Sequence, residues 1–279
     1  NGLSQIFNFD FLILNCMSLV FAAITPHPPL LIPNIGKEEL KKIDQTKKAL
    51  EQLEQDLYLA KPDVVAIISP HGSLFSDAFS LNAHTHFISS FEQFGDFSTK
   101  LEWVGADSIA ARIAHRANQE KLPLQLISEE HLDHGSSVPL FYLTQHFTNL
   151  RVLPIGYSSL DAKTHLKFGE ILKDVFMETE KRVAVIASGD LSHGLTTDAP
   201  AGFSKVGKEF DTKLIELLET RNTVGIASME EKFVEEAAEC GFRSFLILLG
   251  ILKEMNYTFK NYSYEGPFGV GYLVGNFVL

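Results

Sequence analysis

The segment Val64-Val65-Ala66-Ile67-Ile68-Ser69-Pro70-His71-Gly72 limits the fold more than any other. Its short apolar run is largely β-branched and shows no alternation that would leave one face wet. It reads as a strand, residues 63–69, buried on both faces. Such a strand belongs to a largely parallel sheet covered by helices. It ends abruptly, because Pro70 cannot donate to a strand ladder and Gly72 permits turns closed to other residues. A histidine is left at the carboxyl end of a central strand, the edge where open α/β sheets hold ligands. A lone histidine there serves equally well as a strand cap bonded to backbone, so the rest of the chain decides.

The arrangement recurs. Residues 19–25 form a second buried-type strand that runs into Pro26-His27-Pro28-Pro29, and a residue between prolines continues neither helix nor central strand. Residues 37–60 have apolar spacing near 3.6 and predict one long surface helix, so strand, helix and strand make a parallel crossover. Strands are expected at 79–83, 85–88, 122–127, 151–155 and 182–187. Helices are expected at 107–120, 138–147, 161–178, 203–219, 223–239 and 242–254. The stretch 91–100 reads as a loop, and 91–104, with Trp103, as part of a lid. Residues 257–265 and 268–278 predict a hairpin that closes the sheet. The expected fold is α/β: a single-domain, three-layer α/β/α sandwich around a mixed, largely parallel sheet, spanning 17–279.

Composition excludes several function classes. The chain has 279 residues and a net charge of −11, which argues against nucleic acid as a partner. Cys16 and Cys240 are its only cysteines, too few for a disulfide framework, so a reducing, cytoplasmic setting is expected. The apolar stretch 11–14 is too short for a membrane span and lacks the basic flank of a signal peptide, so no membrane association is expected. Met17 reads as the natural start, with residues 1–16 an extension outside the core.

Four of the ten histidines lie just past a strand or in a glycine-bounded loop: His27, His71, His134 and His193. Strands of a largely parallel sheet share a carboxyl edge, so these loops should converge. His115, His146 and His165 lie in helical stretches among polar residues and read as surface groups. His84 and His86 form a His-x-His pair with no turn to isolate it. Converging neutral imidazoles suggest a metal. The acidic or thiol partners in tight settings are Asp133, Asp190 and the pair Glu239-Cys240. Adjacent helical residues point about 100° apart, so only one of that pair can face a given ion. A carboxylate there suits Fe(II), and a thiolate suits zinc or copper.

In order, Pro-His-Pro-Pro (26–29), Ser-Pro-His-Gly (69–72), Asp-His-Gly-Ser-Ser-Val-Pro-Leu (133–140), Ser-Gly-Asp-Leu-Ser-His (188–193) and Glu-Cys-Gly-Phe-Arg-Ser (239–244) give the chain a family likeness. It resembles the LigB-type catalytic subunits of class III extradiol ring-cleavage dioxygenases, and the Memo-like proteins that share their fold. The resemblance implies a non-haem Fe(II) held by His27, His71 and Glu239. It implies His193 as the acid/base group, His134 beside Asp133 as a second proton-handling group, and Asp190 outside the ligand set. The implied reactants are a catecholic compound and O₂, in aromatic catabolism, with a small second subunit or a homo-oligomer as partner. Cys240 marks a departure toward the Memo-like branch, which keeps the fold and implies metal binding without dioxygenase activity, acting through a partner protein.

Overall fold

The central strands are apolar because both of their faces are covered. The computed structural model describes residues 18–279, so the expected start at Met17 and the extension 1–16 lie outside the described residues. In chain order the elements are β1 (Leu19–Thr25), α1 (Pro33–Gly36), α2 (Asp44–Ala60), β2 (Val64–Ser69), β3 (Phe79–Asn82), β4 (His86–Phe91) and β5 (Asp96–Gly105). Then come α3 (Asp107–Gln119), β6 (Leu124–Ile127), α4 (His134–Leu143), β7 (Arg151–Gly156), α5 (Ala162–Met177) and β8 (Val183–Ser188). The chain finishes with α6 (Gly207–Glu219), α7 (Thr223–Ala227), α8 (Glu231–Glu236), α9 (Phe242–Ile251), β9 (Thr258–Glu265) and β10 (Tyr272–Val278).

The strands form one mixed sheet in the order β4-β5-β7-β2-β8-β1-β10-β9, and β3 joins β7 to β6. The run β5-β7-β2-β8-β1 is parallel throughout. The hairpin β9–β10 is antiparallel and extends the sheet beyond β1, as the aromatic and glycine-rich tail predicts. Alternate residues of β2 divide between the faces: Val64, Ala66 and Ile68 pack with α3, α5, α6 and α9, while Val65 and Ile67 pack with α2 and α4. The three-layer α/β/α sandwich is therefore present as a single domain. Among the described residues, no helix is long and apolar enough to cross a membrane.

Several local expectations need correction. The helix expected over 37–60 is a 3-10 stretch (Lys37–Ile43) followed by α2. The loop expected over 91–100 belongs to the β4–β5 hairpin, whose second strand shows outward-facing polar residues. Trp103 lies in that strand, buried, with its Nε1 donating to Thr144 Oγ1 at 3.1 Å, so it is part of the scaffold. The helix expected over 223–239 is two short ones, α7 and α8.

The central strands end level with one another. Thr25 pairs with Ser188, Ile68 with Ala187, and Ser69 with Gly156. The turns leaving β1, β2 and β8 therefore open at one height, and they carry His27, His71, Asp190 and His193.

Candidate metal centre

His27 is held on three sides. Its backbone N–H donates to Asp190 Oδ1 at 2.9 Å. Its Nδ1 lies 2.8 Å from Ser188 Oγ, and that hydroxyl donates to the Gly135 carbonyl at 2.6 Å. With its own proton committed, the Ser188 oxygen accepts, so the bond assigns the imidazole proton to Nδ1 and leaves the Nε2 lone pair free. His71 Nε2 lies 3.0 Å from His27 Nε2. His134 opens α4 and stacks on His71, ring centroids 4.3 Å apart. The sequence expectation that these three loops converge holds.

Cys240 reaches the cluster through a close approach of two chain segments. A Cβ on Gly189 would sit 2.0 Å from Gly241 Cα, so only glycine lets the end of β8 touch the start of α9. At that contact the Cys240 and Gly241 N–H groups donate to the Asp190 carbonyl at 3.2 and 3.1 Å, and Asp190 N–H donates to Cys240 Sγ at 3.2 Å. Sγ then lies 3.6 Å from His27 Nε2. Ligand-capable atoms of His27, His71 and Cys240 all lie within 4.8 Å of one another, and those of Asp190, His193 and Cys240 form a second such group.

Glu239 goes elsewhere. Its Oε2 accepts from Phe242 N–H at 2.5 Å, in the first turn of α9. Its side chain lines a separate cavity with Arg243, Met229 and Leu246. Of the adjacent pair, the thiol shares the cluster with His27 and His71, and the carboxylate caps a helix.

His193 stands beside the centre. Its Nδ1–H donates to the Ala238 carbonyl at 2.7 Å, and its Nε2 lies 3.8 Å from Asp190 Oδ2. The same Asp190 oxygen is 4.0 Å from His27 Nε2. Asp190, placed outside the ligand set by the resemblance, thus bridges His27 and His193. Asp133 is the N-cap of α4: it accepts from Ser136 N–H at 3.0 Å and from Ser69 Oγ at 2.5 Å. It orients the turn that carries His134. A Cβ on Gly135 would meet Ser69 Oγ at 2.5 Å, which keeps that turn tight against His71.

Burial sets the protonation states. It pushes the His27 imidazolium well out of favour, aided by the neighbouring His71, and it lowers His71 to about 4 and lowers His134 as well. All three rings are therefore neutral, as metal binding requires. Burial raises Asp190 to about 6, Glu239 to about 7, and the Cys240 thiol well above its usual range.

These residues fit a metal. Bond lengths of about 2.0–2.1 Å to imidazole and about 2.3 Å to thiolate place donors roughly 3–3.6 Å apart around one ion. The observed separations, 3.0 Å between the two nitrogens and 3.6 Å from nitrogen to sulfur, match. Hydrogen bonds from His27 to Ser188 and Asp190 supply the outer partners that orient such a ligand. Asp190 is a candidate already in the sequence, whereas Ser188 carries no ligand signature and is recognisable only as the residue that ends β8.

The other histidines separate clearly. His84 Nδ1 bonds its neighbour's backbone, the His86 carbonyl, and His86 faces Glu102 at 3.5 Å, so the pair does not converge. His146 pairs with Glu54 at 2.8 Å, and His115 lies on the surface beside Gln119. His165 overturns the surface reading: it is 0% exposed, packed against Phe79, with Nδ1 bonded to the Asp161 carbonyl.

A crevice of about 520 Å³ adjoins the cluster on the side of β3, β6 and β7, and His71 and His134 form the wall it shares with the centre.

A family model described as "Catalytic LigB subunit of aromatic ring-opening dioxygenase" matches residues 21–275. Protein CA_C1420 of Clostridium acetobutylicum is 32% identical over 92% of the chain and 57% of its own length. A MEMO1 family protein of Methanosarcina barkeri is 28% identical over 48% of the chain and 49% of its own length. The chain thus spans about half the length of these two relatives. The 2-aminophenol 1,6-dioxygenase alpha subunit of a Pseudomonas species is 26% identical over 85% of the chain and 90% of its own length. The crystal structure of Escherichia coli K12 protein JW3007 shares the fold, with a TM-score of 0.65 at 17% identity, covering 92% of this chain and 99% of that one. With a match across nearly every described residue, the chain belongs to the family of LigB catalytic subunits of aromatic ring-opening dioxygenases, in which MEMO1 family proteins and extradiol dioxygenase subunits are its relatives.

Proposed function

We propose that this protein is a metal-dependent oxidoreductase that opens the aromatic ring of a catecholic substrate with O₂. The observation that carries the reading is the placement of His193. A third imidazole, its Nε2 free and backed by Asp190, stands beside a converged His27–His71 pair without being drawn into it.

His27 and His71 would hold the metal, with Cys240 as the third donor nearest to them. Iron bound there supplies the one-electron chemistry that activates O₂. The chain's own residues do the rest. His193, its Nδ1 proton fixed on the Ala238 carbonyl, offers Nε2 to take a proton from a substrate hydroxyl and return it. Asp190 faces both Nε2 atoms and steadies the charge that His193 acquires. His134 stacks on His71 and offers a second polar edge above the substrate position. Asp133 positions that edge through its cap on α4 and acts on the reaction only through it.

A second reading is favoured by one observation: the thiol of Cys240, and not the carboxylate of Glu239, shares the cluster. Under it the protein is a Memo-like metal-binding protein without dioxygenase activity, acting through a partner, and its metal is copper or zinc as readily as iron.

Anaerobic loading with Fe(II), followed by a panel of catechols in air, tests the first reading. O₂ uptake and a ring-opened chromophore are expected. Fully iron-loaded protein that gives neither sinks it. His193→Ala should retain iron and lose about 10²–10⁴-fold in turnover. Loss of iron in that variant would instead make His193 a ligand.

A further inference from the structure

The crevice beside the metal centre has a one-sided chemistry. Its shared wall is His71 and His134, and its far wall is built from Ser73, Asn82, Glu129 and His131. Among the described residues that line it there is no lysine and no arginine. Asp133 has its oxygens engaged by Ser69 and Ser136. The remaining acid is Glu129.

Glu129 is built into place. The buried side chain of Asn82 bonds both ends of its backbone: Nδ2 donates to the Glu129 carbonyl at 2.8 Å, and Oδ1 accepts from its N–H at 3.1 Å. Ser73 Oγ donates to Glu129 Oε1 at 2.5 Å. Glu129 is solvent-exposed, and with its backbone fixed and one oxygen bonded it keeps its second oxygen open to a ligand at little cost in side-chain freedom. The cavity volume exceeds what an unsubstituted catechol fills, so the crevice has room for a substituent when the ring stands over His71 and His134.

We propose that this crevice receives the side chain of the substrate, and that Glu129 selects an amine-bearing aromatic over a carboxylate-bearing one. A carboxylate entering here meets a like charge and neither lysine nor arginine to pair with, whereas an ammonium group meets a positioned carboxylate and hydroxyl acceptors. The inference rests on the ring-opening reading for its placement of the ring; the crevice chemistry stands by itself.

The test uses the full chain loaded with Fe(II), under anaerobic conditions, titrated with two catechols of similar size, 4-(2-aminoethyl)catechol and (3,4-dihydroxyphenyl)acetate. Isothermal calorimetry should show the amine binding at least about tenfold more tightly, and Glu129→Gln should bring the two within about threefold. Metal content and circular dichroism confirm that the variant is intact. Equal or tighter binding of the acid, or an unchanged ratio in Glu129→Gln, overturns the proposal. If neither catechol binds, the ring-opening reading fails, and the crevice is judged with 2-phenylethylamine against phenylacetate. Preference for the amine, lost in Glu129→Gln, sustains the inference, while preference for the acid or no binding of either ends it.

Discussion

The two ends of the central strands use polar groups in opposite ways. At the amino ends of β2 and β8, Asp63 and Arg182 tie neighbouring backbone together: Arg182 N–H donates to Asp63 Oδ2 at 2.8 Å, and the guanidinium donates to the Ala60 carbonyl at 2.8 Å. Arg151, at the start of β7, donates to the Gly105 carbonyl at 2.8 Å. Each of these side chains bonds backbone that would otherwise face water. At the carboxyl ends the polar atoms point at one another. Imidazole nitrogens meet at 3.0 Å, a thiol stands 3.6 Å away, and a buried acid faces two rings at about the same distance from each. Two imidazole nitrogens and a thiol gathered this closely, with His27 buried and His71 exposed, make a donor set that a metal ion would complete. One end closes the fold, and the other end stores donors.

The largest expected effect tests whether Cys240 belongs to the stored donors. Cys240→Ser should weaken Fe(II), Cu or Zn binding by more than the ~10–100-fold that losing an outer partner costs, read as metal content after dialysis. Glu239→Gln should leave the content unchanged and destabilise the start of α9, where the carboxylate caps Phe242. The reverse pattern would return the third position to Glu239 and restore the ligand set that the family resemblance implies.

Proton release gives a sharper version of the same question. The imidazoles are already neutral near pH 7, so the third ligand sets the pH dependence of metal affinity. The Cys240 thiol is held protonated well into the alkaline range and must lose its proton to bind. Metal affinity should therefore rise roughly tenfold per pH unit between about pH 7.5 and 9. Glu239, lifted to about 7, would be ionised over most of that window, and its slope would flatten toward zero. Competition titrations with a chelator of known pH dependence separate the two slopes.

Much of this centre is legible in the sequence, and the part that is not has a physical reason. His27, His71 and His193 follow apolar runs that stop at proline or glycine, and strand ends in a parallel sheet are level by construction. The orientation of Glu239 and Cys240 is another matter. Helical spacing says that one of the two faces inward. Which one depends on Ala238, in the left-handed region at φ 53°, and on the approach of Gly241 to Gly189. Both are tertiary facts. His165 was readable in principle: it shares one helical face with Phe168 and Leu172, three and seven residues on, but its polar neighbours Lys163, Thr164 and Lys167 mask that stripe. The strand Asp96–Gly105 hides for the opposite reason, since an outer hairpin carries many solvent-facing polar residues.

Gly189→Ala should produce an intermediate effect. Its methyl group would meet backbone at 2.0 Å, which cannot rotate away, so the end of β8 and the start of α9 must part. Overpacking of this kind costs about 1–3 kcal/mol. Thermal unfolding should register that loss, and metal affinity should fall with it, because the contact is what holds Cys240 against Asp190. A variant that loses stability but keeps full affinity would show that Cys240 is positioned by something other than the glycine contact.

The smallest effect comes from the opposite edge. Asp63→Ala removes the acceptor for Arg182 N–H and nothing from the donor cluster. One such bond is worth about 0.5–1.5 kcal/mol, so the melting temperature should drop by only a few degrees. The six residues of β2 separate this site from His71 by roughly 20 Å, well beyond the distance at which substitutions couple. Metal content and the pH slope should therefore be those of the unaltered protein. If Asp63→Ala instead lowered metal affinity, the two edges could not be independent, and the strands between them would have to be shifting as a unit rather than serving as a fixed frame. The low cost of the substitution makes this a clean control, since any change at the centre would stand out against a fold that is otherwise nearly intact.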